Sequence, residues 1–173
     1  MSASRALAAV LALASSPALL LAQGSTSVPA VSVQLMAGVS QYDYSGTGTA
    51  LHLAGRLVRP FGRFIVGEAG VGYTRYDLDV GNEKVQHLIP EAGLQAQFPL
   101  GKVLAPYVGV GVGGSFVWIS DATELEPTVS GALGIRAAIA SVASLIGELR
   151  VRGTGSGFEG AAAEWTVGIG FRP

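Results

Sequence analysis

The chain has 173 residues, of which 49% are hydrophobic and only 13% are charged, and its formal net charge is −1. Soluble domains carry about 25% charged residues, so this chain is poorly suited to an ordinary hydrated surface, and its high hydrophobicity also argues against disorder. The 25 glycines follow no three-residue repeat, which excludes collagen, and the absence of cysteine excludes a disulfide scaffold, a cysteine-ligated zinc site and a thiol nucleophile.

The chain begins with MSASRALAAVLALASSPALLLA, which has the pattern of a secretory signal peptide. Arg5 is its only charge, an apolar run follows, and small residues precede the expected cleavage near Ala22. Pro17 disfavours a membrane-spanning helix, which needs about 20 consecutive apolar residues. Without Arg5, 10 of the 11 basic residues remain against 12 acidic ones, so no basic surface is offered to nucleic acid. We expect a signal peptide, a short linker and one domain at 1–22, 23–30 and 31–173.

From Val31 onwards, apolar residues alternate with polar or small ones at the period of a β-strand. In VSVQLMAGV, for example, Leu35 and Ala37 share one face with the valines, whereas Gln34 lies on the other. Eight segments show this alternation, at 31–39, 51–57, 65–73, 87–98, 108–118, 129–139, 144–151 and 163–172. An even number of such segments joined by turn-rich connections predicts an all-β fold, an eight-stranded antiparallel up-and-down barrel.

Two features conflict with eight regular strands. Residues 135–150 also fit the three-to-four spacing of a helix, through Ile135, Ile139, Val142 and Leu149, so the sequence leaves two strands or one helix open there. Pro90 lies within the fourth segment, where it removes a hydrogen-bond donor from the ladder, and we expect a β-bulge at that point.

The less apolar face of the segments distinguishes a membrane barrel from a soluble periplasmic one, which remains the alternative. This face is mostly Gly, Ala and Ser with a few long polar residues of opposite charge, a composition that suits the narrow interior of eight strands. The reverse orientation would place arginines in lipid at about 2–4 kcal/mol each. We therefore predict a transmembrane barrel, with a polar network in the lumen made of His52, Arg56, Glu68, His87, Glu91, Arg136, Glu148 and Arg150.

The connections and the aromatic residues agree with this orientation. Short connections alternate with longer ones, such as YDYSGTG, YDLDVGNEK, SDATELEP and GTGSGFEG, as periplasmic turns alternate with extracellular loops. Aromatic residues gather at the segment ends and predict two interfacial girdles. On the loop side these are Tyr42, Tyr44, Tyr73, Tyr76, Trp118 and Trp165, and on the turn side Phe61, Phe98, Tyr107 and Phe171.

Together these features resemble the small eight-stranded outer-membrane β-barrels, the class of the OmpA transmembrane domain and OmpX. The resemblance covers about residues 28–173 and rests on architecture, not on a diagnostic motif. It implies a monomer in the outer membrane of a Gram-negative-type bacterium, in contact with membrane lipid and lipopolysaccharide. It also implies recognition by the barrel-insertion machinery through a terminal aromatic residue. Here Phe171 follows Val167 and Ile169 in alternation, but Arg172 and Pro173 come after it, which departs from the pattern.

The only two histidines are candidates for catalysis. His52 and His87 are both expected to face the lumen, and His87 shares its face with Glu91, so a His–Glu pair could orient an imidazole as a base. The resemblance extends to lipid A-modifying barrels that use a Ser–His–Glu type of site at the lipid-facing side. A lumen histidine is more often a member of a polar network, and no serine is marked as a nucleophile, so we expect no catalytic residue.

Cofactor and metal sites are not expected either. Gly109, Gly111 and Gly114 match G-x-G-x-x-G, but the dinucleotide motif needs a helix after the glycines, whereas SFVWIS continues the strand pattern. The presumed outer loops are acidic and could bind divalent cations, yet the twelfth position from Asp77 is Leu88 instead of the glutamate of a calcium loop. The acidic residues concerned are Asp77, Asp79, Glu83, Asp121, Glu124 and Glu126.

The function expected from these observations is non-enzymatic. The barrel would have a structural or surface-interaction role, with its specificity in the extracellular loops. Two alternatives stay open, a small channel or transporter for hydrophobic solutes, which needs an open lumen, and a lipid A-modifying enzyme.

Overall fold

In the computed structural model, eight antiparallel strands follow one another in chain order and close into a barrel, with β1 beside β8. The structure describes residues 31–43, 47–77, 84–119, 122–157 and 160–172, so the predicted signal peptide and linker lie outside the described residues. The strands are β1 (Ser32–Asp43), β2 (Thr47–Pro60), β3 (Ile65–Asp77), β4 (Lys84–Gln97), β5 (Leu104–Ile119), β6 (Ala122–Ala138), β7 (Ala143–Thr154) and β8 (Gly160–Phe171). The predicted eight-stranded fold is confirmed.

The helix considered for residues 135–150 does not form. β6 ends at Ala138 and β7 begins at Ala143, and the tight turn between them is closed by hydrogen bonds from the amides of Ile139 and Ala140 to the carbonyl oxygen of Ala143, at 3.0 and 3.2 Å. As strands, both segments satisfy their backbone groups through neighbours on either side, which a closed barrel requires. No helix long and apolar enough to span a membrane occurs in the described ranges.

Pro90 is accommodated without the expected β-bulge, so that prediction was wrong. On one side Pro90 pairs with Val71 of β3. On the other side, pairing with β5 stops at Leu88 and resumes at Glu91 with the register unchanged, so no extra residue is inserted. Proline lacks only its own N–H, and a local gap in one ladder is enough to accommodate that loss. An added Cβ at Gly113 of β5 would lie 2.2 Å from the carbonyl oxygen of Pro90, so the close approach requires glycine.

The connection SDATELEP, predicted as a long loop, is largely strand, which corrects that expectation. β5 and β6 pair up to Ile119 and Ala122, leaving two residues between the strands. β7 pairs with β6 only as far as Thr128, so the β5–β6 hairpin extends beyond β7 on the loop side. Threonine and leucine alternate with glutamate here and pair with the aromatic end of β5, which favours strand over loop.

Side chains alternate between the outer wall and the lumen along the strands. The outer wall carries exposed large apolar residues, including Val110 at 66% and Val167 at 71% exposure. The lumen holds most of the buried polar and charged residues together with two small apolar clusters. One cluster, at the loop end, contains Tyr42, Ala50, Val85, Val117 and Ala162, and the other contains Met36, Ala54 and Ile146. The barrel is therefore apolar outside and polar within, the reverse of a soluble protein.

Candidate functional site: the polar network of the lumen

The structure places the eight predicted network residues inside the barrel. They come from five strands: β2, β4 and β7 contribute two residues each, and β3 and β6 contribute one each. Their common orientation follows from strand alternation. The set consists of a central ion cluster, two histidines that each contact a hydroxyl group, and Arg136 near the turns.

Arg150 lies at the centre of the network and is only 1% exposed. Its guanidinium donates to Glu148 at 3.0 Å, to Glu68 at 2.7 Å and to the hydroxyl of Ser130 at 3.1 Å, and it also bonds Glu91. Three carboxylates from three strands thus meet one guanidinium, whose five N–H donors suit such a convergence. Arg150 ties β3, β4, β6 and β7 together across the lumen.

Glu148 is the principal acceptor of the cluster. Besides Arg150, it accepts two hydrogen bonds from Nη1 of Arg56, at 2.8 and 2.9 Å, and one from the hydroxyl of Tyr107, at 2.7 Å. Nη1 of Arg56 also lies 3.8 Å from Oε2 of Glu68. A buried carboxylate with several charge-assisted partners offsets its loss of hydration, so this cluster is compatible with a closed interior.

Two charged members of the network were absent from the predicted set. Arg152 donates to Glu164 through Nε at 2.9 Å and Nη2 at 3.2 Å, and it also bonds Glu91. Glu164 in turn lies 3.7 Å from Nε2 of His52. Arg152 continues the alternation of Glu148 and Arg150 along β7, so extending that segment by one residue would have revealed it.

The charges of the connected network balance. Among the described residues, four arginines and four glutamates form one connected set with their polar neighbours. They are Arg56, Arg136, Arg150, Arg152, Glu68, Glu91, Glu148 and Glu164. Within this connected set the positive and negative charges are equal in number.

Arg136 occupies the turn end of the lumen. Its guanidinium lies 4.3 Å from the centre of the Tyr107 ring, donates to Gln97 at 3.3 Å and also bonds Gln95. Beside it a cavity of about 150 Å³ is lined in part by Gln34 and Ser144. The cavity forms a small vestibule at the turn end of the barrel.

The middle of the barrel is closed. A cavity lined by His52, Arg56, Glu68, Glu91 and Arg152 has a volume of about 10 Å³. That volume is at the lower limit for a single water molecule. The turn-end vestibule lies on one side of the network, and the apolar cluster around Tyr42 lies on the opposite side, towards the loops.

Each histidine is bound to a hydroxyl group. Nδ1 of His52 lies 2.8 Å from Oγ1 of Thr74, and Nδ1 of His87 lies 3.0 Å from Oγ of Ser115. The His–Glu pairing considered for His87 and Glu91 is not what the structure shows, because Glu91 bonds two arginines instead. Both imidazoles are buried inside the barrel wall, away from the lipid-facing surface.

Two residues assigned to the aromatic girdles point the other way. Tyr42 and Tyr107 are 3% and 1% exposed and lie inside the lumen, because their positions share the inward alternation of their strands. Trp165, Phe98 and Phe171 are exposed on the outer side. Tyr73 and Trp118 are half-buried there, and the side chain of Tyr76 lies outside the described part of the structure, as does Tyr44.

Several of the acidic residues considered for cation binding lie outside the described residues. They are Asp79, Glu83, Asp121 and the side chain of Asp77. Within the residues that are described, no group of three or more histidine or acidic side chains is arranged to hold a metal ion.

No protein-family model and no curated protein sequence matches the chain, but several solved structures match its fold. Neisserial surface protein A is 12% identical, with 83% of this chain and 97% of that chain covered and a TM-score of 0.70. Ail, the attachment invasion locus protein of Yersinia pestis, is 11% identical, with coverages of 85% and 100% and a TM-score of 0.63. The outer membrane enzyme PagL is 12% identical, with coverages of 82% and 99% and a TM-score of 0.51. The chain has the fold of the small eight-stranded outer-membrane β-barrels, as its sequence predicted.

Proposed function

We propose that this chain is a monomeric outer-membrane β-barrel with a closed lumen, which acts through its surface and catalyses no reaction. The observation that carries the proposal is the balanced ion network, centred on Arg150 and Glu148, which fills the barrel. The network stabilises a rigid scaffold, and the outer wall and the loops remain as the surfaces that meet lipid, lipopolysaccharide and partners.

The outer wall supports a membrane location. Exposed Leu53, Val110 and Val167 belong to a continuous apolar wall that no other part of the described chain covers. Contiguous apolar patches larger than a few hundred Å² are rare on soluble monomers, whereas a transmembrane barrel needs an apolar outer band. Hydrocarbon is the solvent that suits this wall.

A channel for hydrophobic solutes is not favoured. The network residues are bonded to one another across the lumen, and the central cavity of about 10 Å³ is too small for any solute beyond one water molecule. A passage would require the separation of several buried ion pairs, and breaking one such pair costs about 3–5 kcal/mol.

A lipid-modifying enzyme deserves a direct test because PagL is an outer membrane enzyme of the same fold. Thr74, His52 and Glu164 lie in the order of a nucleophile, base and carboxylate, with gaps of 2.8 and 3.7 Å. All three are almost completely buried in the lumen. An acyl chain in the membrane cannot reach the hydroxyl of Thr74, so the arrangement serves the network and not a reaction.

The acidic residues of the loop side restrict the charge of any partner that binds there. Ail was crystallised with the heparin analogue sucrose octasulfate. Here the β5–β6 hairpin carries Glu124 and Glu126, and by sequence the neighbouring connections add further acidic residues. A polysulfate would be repelled by this side of the barrel, so its partner is expected to be neutral or cationic.

Membrane location can be tested by cell fractionation and by heat-modifiable migration on a denaturing gel. We expect the chain in the outer-membrane fraction and a different mobility before and after boiling. A chain that remains soluble with unchanged mobility overturns the proposal.

Lumen closure can be tested in planar bilayers. The wild-type protein is expected to give no resolved conductance steps, whereas R150A/R152A, which removes two lumen side chains, is expected to give them. Clear steps from the wild type would favour the channel.

The enzyme alternative is tested by mass spectrometry of lipid A from cells that express the wild type, H52N or H87N. Identical spectra are expected, and a mass change that needs either histidine would establish catalysis.

A further inference from the structure

The charges outside the lumen are distributed unequally between the two ends of the barrel. The turn end, formed by the β2–β3, β4–β5 and β6–β7 turns and the end of β8, carries four basic residues and by sequence no acidic one. These are Arg59, Arg63, Lys102 and Arg172. The loop end carries eight acidic residues by sequence against Arg75 and Lys84. The acidic residues are Asp43, Asp77, Asp79, Glu83, Asp121, Glu124, Glu126 and Glu159.

Arg59 lies at the rim of the lipid-facing wall. It shares the outward alternation of Leu57 on β2, and its guanidinium carbon lies 5.9 Å from the centre of the Phe61 ring. That ring folds back onto β3, since an added Cβ at Gly67 would come within 2.5 Å of it. The guanidinium is therefore held against the outside of the barrel, at the level where the strands end.

The same combination of a cation and an aromatic ring recurs in this turn. Arg63 lies 5.1 Å from the centre of the Phe64 ring, and Phe61 and Phe64 are 63% and 50% exposed. The other two turns also present exposed apolar side chains, namely Leu100, Val103, Ile139 and Val142. Apolar and cationic side chains that share one surface are typical of segments that lie in a membrane interface.

The four cations have no counter-ion within the described protein. None of Arg59, Arg63, Lys102 and Arg172 forms a salt bridge with a carboxylate of the described residues, in contrast to the lumen arginines of the central cluster. This surface is both cationic and apolar, and it continues directly into the lipid-facing wall. A ligand that matches it therefore carries an anionic group next to an apolar portion.

We propose that the turn end of the barrel is a binding surface for anionic glycerophospholipids. Lipid phosphates pair with the four cations, and the glycerol and upper acyl region cover the exposed apolar side chains of the turns. The inference rests on the proposed membrane location and adds a lipid class and an orientation, with the turn end in the leaflet that contains anionic phospholipid. The acidic loop end then faces away from that leaflet.

The proposal predicts a lipid preference that can be measured directly. The full-length protein is reconstituted in phosphatidylcholine vesicles with traces of spin-labelled phosphatidylglycerol or spin-labelled phosphatidylcholine, and the immobilised fraction of each label is compared. A basic residue near an anionic surface contributes about fivefold to binding. We expect a several-fold preference for phosphatidylglycerol at low salt that falls at high salt, where charges are screened.

The quadruple variant R59Q/R63Q/K102Q/R172Q should lose the preference, and R75Q/K84Q, which removes the loop-end cations, should retain it. Folding of each variant is checked by heat-modifiable migration, and if the quadruple variant does not fold, R59Q/K102Q is used instead. A wild type that inserts but shows no preference, or variants that retain it, would overturn the inference. If the turn end binds an acidic protein instead of lipid, the wild type should likewise show no preference for phosphatidylglycerol, and the inference is overturned. A wild type that fails to insert into any vesicle contradicts the proposed membrane location instead.

Discussion

Arg56 and Glu148 are 92 positions apart in the chain, yet Nη1 of Arg56 donates to both carboxylate oxygens of Glu148 at 2.8 and 2.9 Å. The contact joins β2 to β7, two strands that are not neighbours in the sheet, across the lumen. The bond therefore acts on the barrel as a whole, because it can form only when all the intervening strands have the correct register.

Removal of the Glu148 carboxylate should destabilise the barrel severely. E148A leaves Arg56, Arg150 and the hydroxyl of Tyr107 without their shared acceptor, and such a loss in a buried site costs about 3–5 kcal/mol. The free energy of unfolding would be measured by urea titration in lipid vesicles with tryptophan fluorescence. E124A, on the exposed hairpin, is the control and should change the free energy of unfolding little. Equal effects of the two substitutions would mean that the network does not stabilise the fold.

The contact between Arg56 and Glu148 should be visible as energetic coupling. R56Q and E148Q each destabilise the barrel, and because they remove the same hydrogen bonds, the double variant should be less destabilised than the sum. Residues in direct contact show coupling energies of about 0.5–3 kcal/mol. The measurement is a double-mutant cycle on urea unfolding. Strict additivity would show that the two side chains act independently.

Gly134 should not tolerate even a methyl group. An added Cβ there would lie 2.3 Å from the ring of Tyr107, which stands over Gly134 and donates to Glu148. G134A should destabilise by about 1–3 kcal/mol through overpacking. G131A is a matched control on the same strand, where an added Cβ meets nothing within 4 Å. The two unfolding midpoints should differ clearly, and coincident midpoints would contradict the observed packing.

The outer wall should reject charge at its middle and accept it beyond the membrane. V110R places a guanidinium on the exposed apolar face of β5 and should cost about 2–4 kcal/mol in vesicles. T123R, on the exposed end of the β5–β6 hairpin, should cost far less because water reaches that position. A V110R protein that is as stable as T123R would show that Val110 does not face lipid.

Most of the architecture was accessible from the alternation of residues. Segments such as 31–39 and 163–172 showed which side chains lie on the outer wall, because a strand turns successive side chains to opposite faces whatever its neighbours are. Arg152 and Tyr107 were not assigned to the lumen because the predicted segments, 144–151 and 108–118, stopped one residue short of them. The helical spacing at 135–150 was misleading because periodicity within one segment says nothing about the backbone partners that a closed barrel provides.

Sequence alone determined the strands, their inward and outward faces and the opposite charges of the lumen, since all of these follow from local alternation and composition. Only the tertiary structure decided which charges meet: that Arg56 reaches Glu148, that Arg152 pairs with Glu164 and that Glu91 binds arginines and not His87. The physical reason is that contacts across a lumen depend on the relative stagger of all eight strands. That stagger is a property of the closed sheet and is not encoded in any one segment.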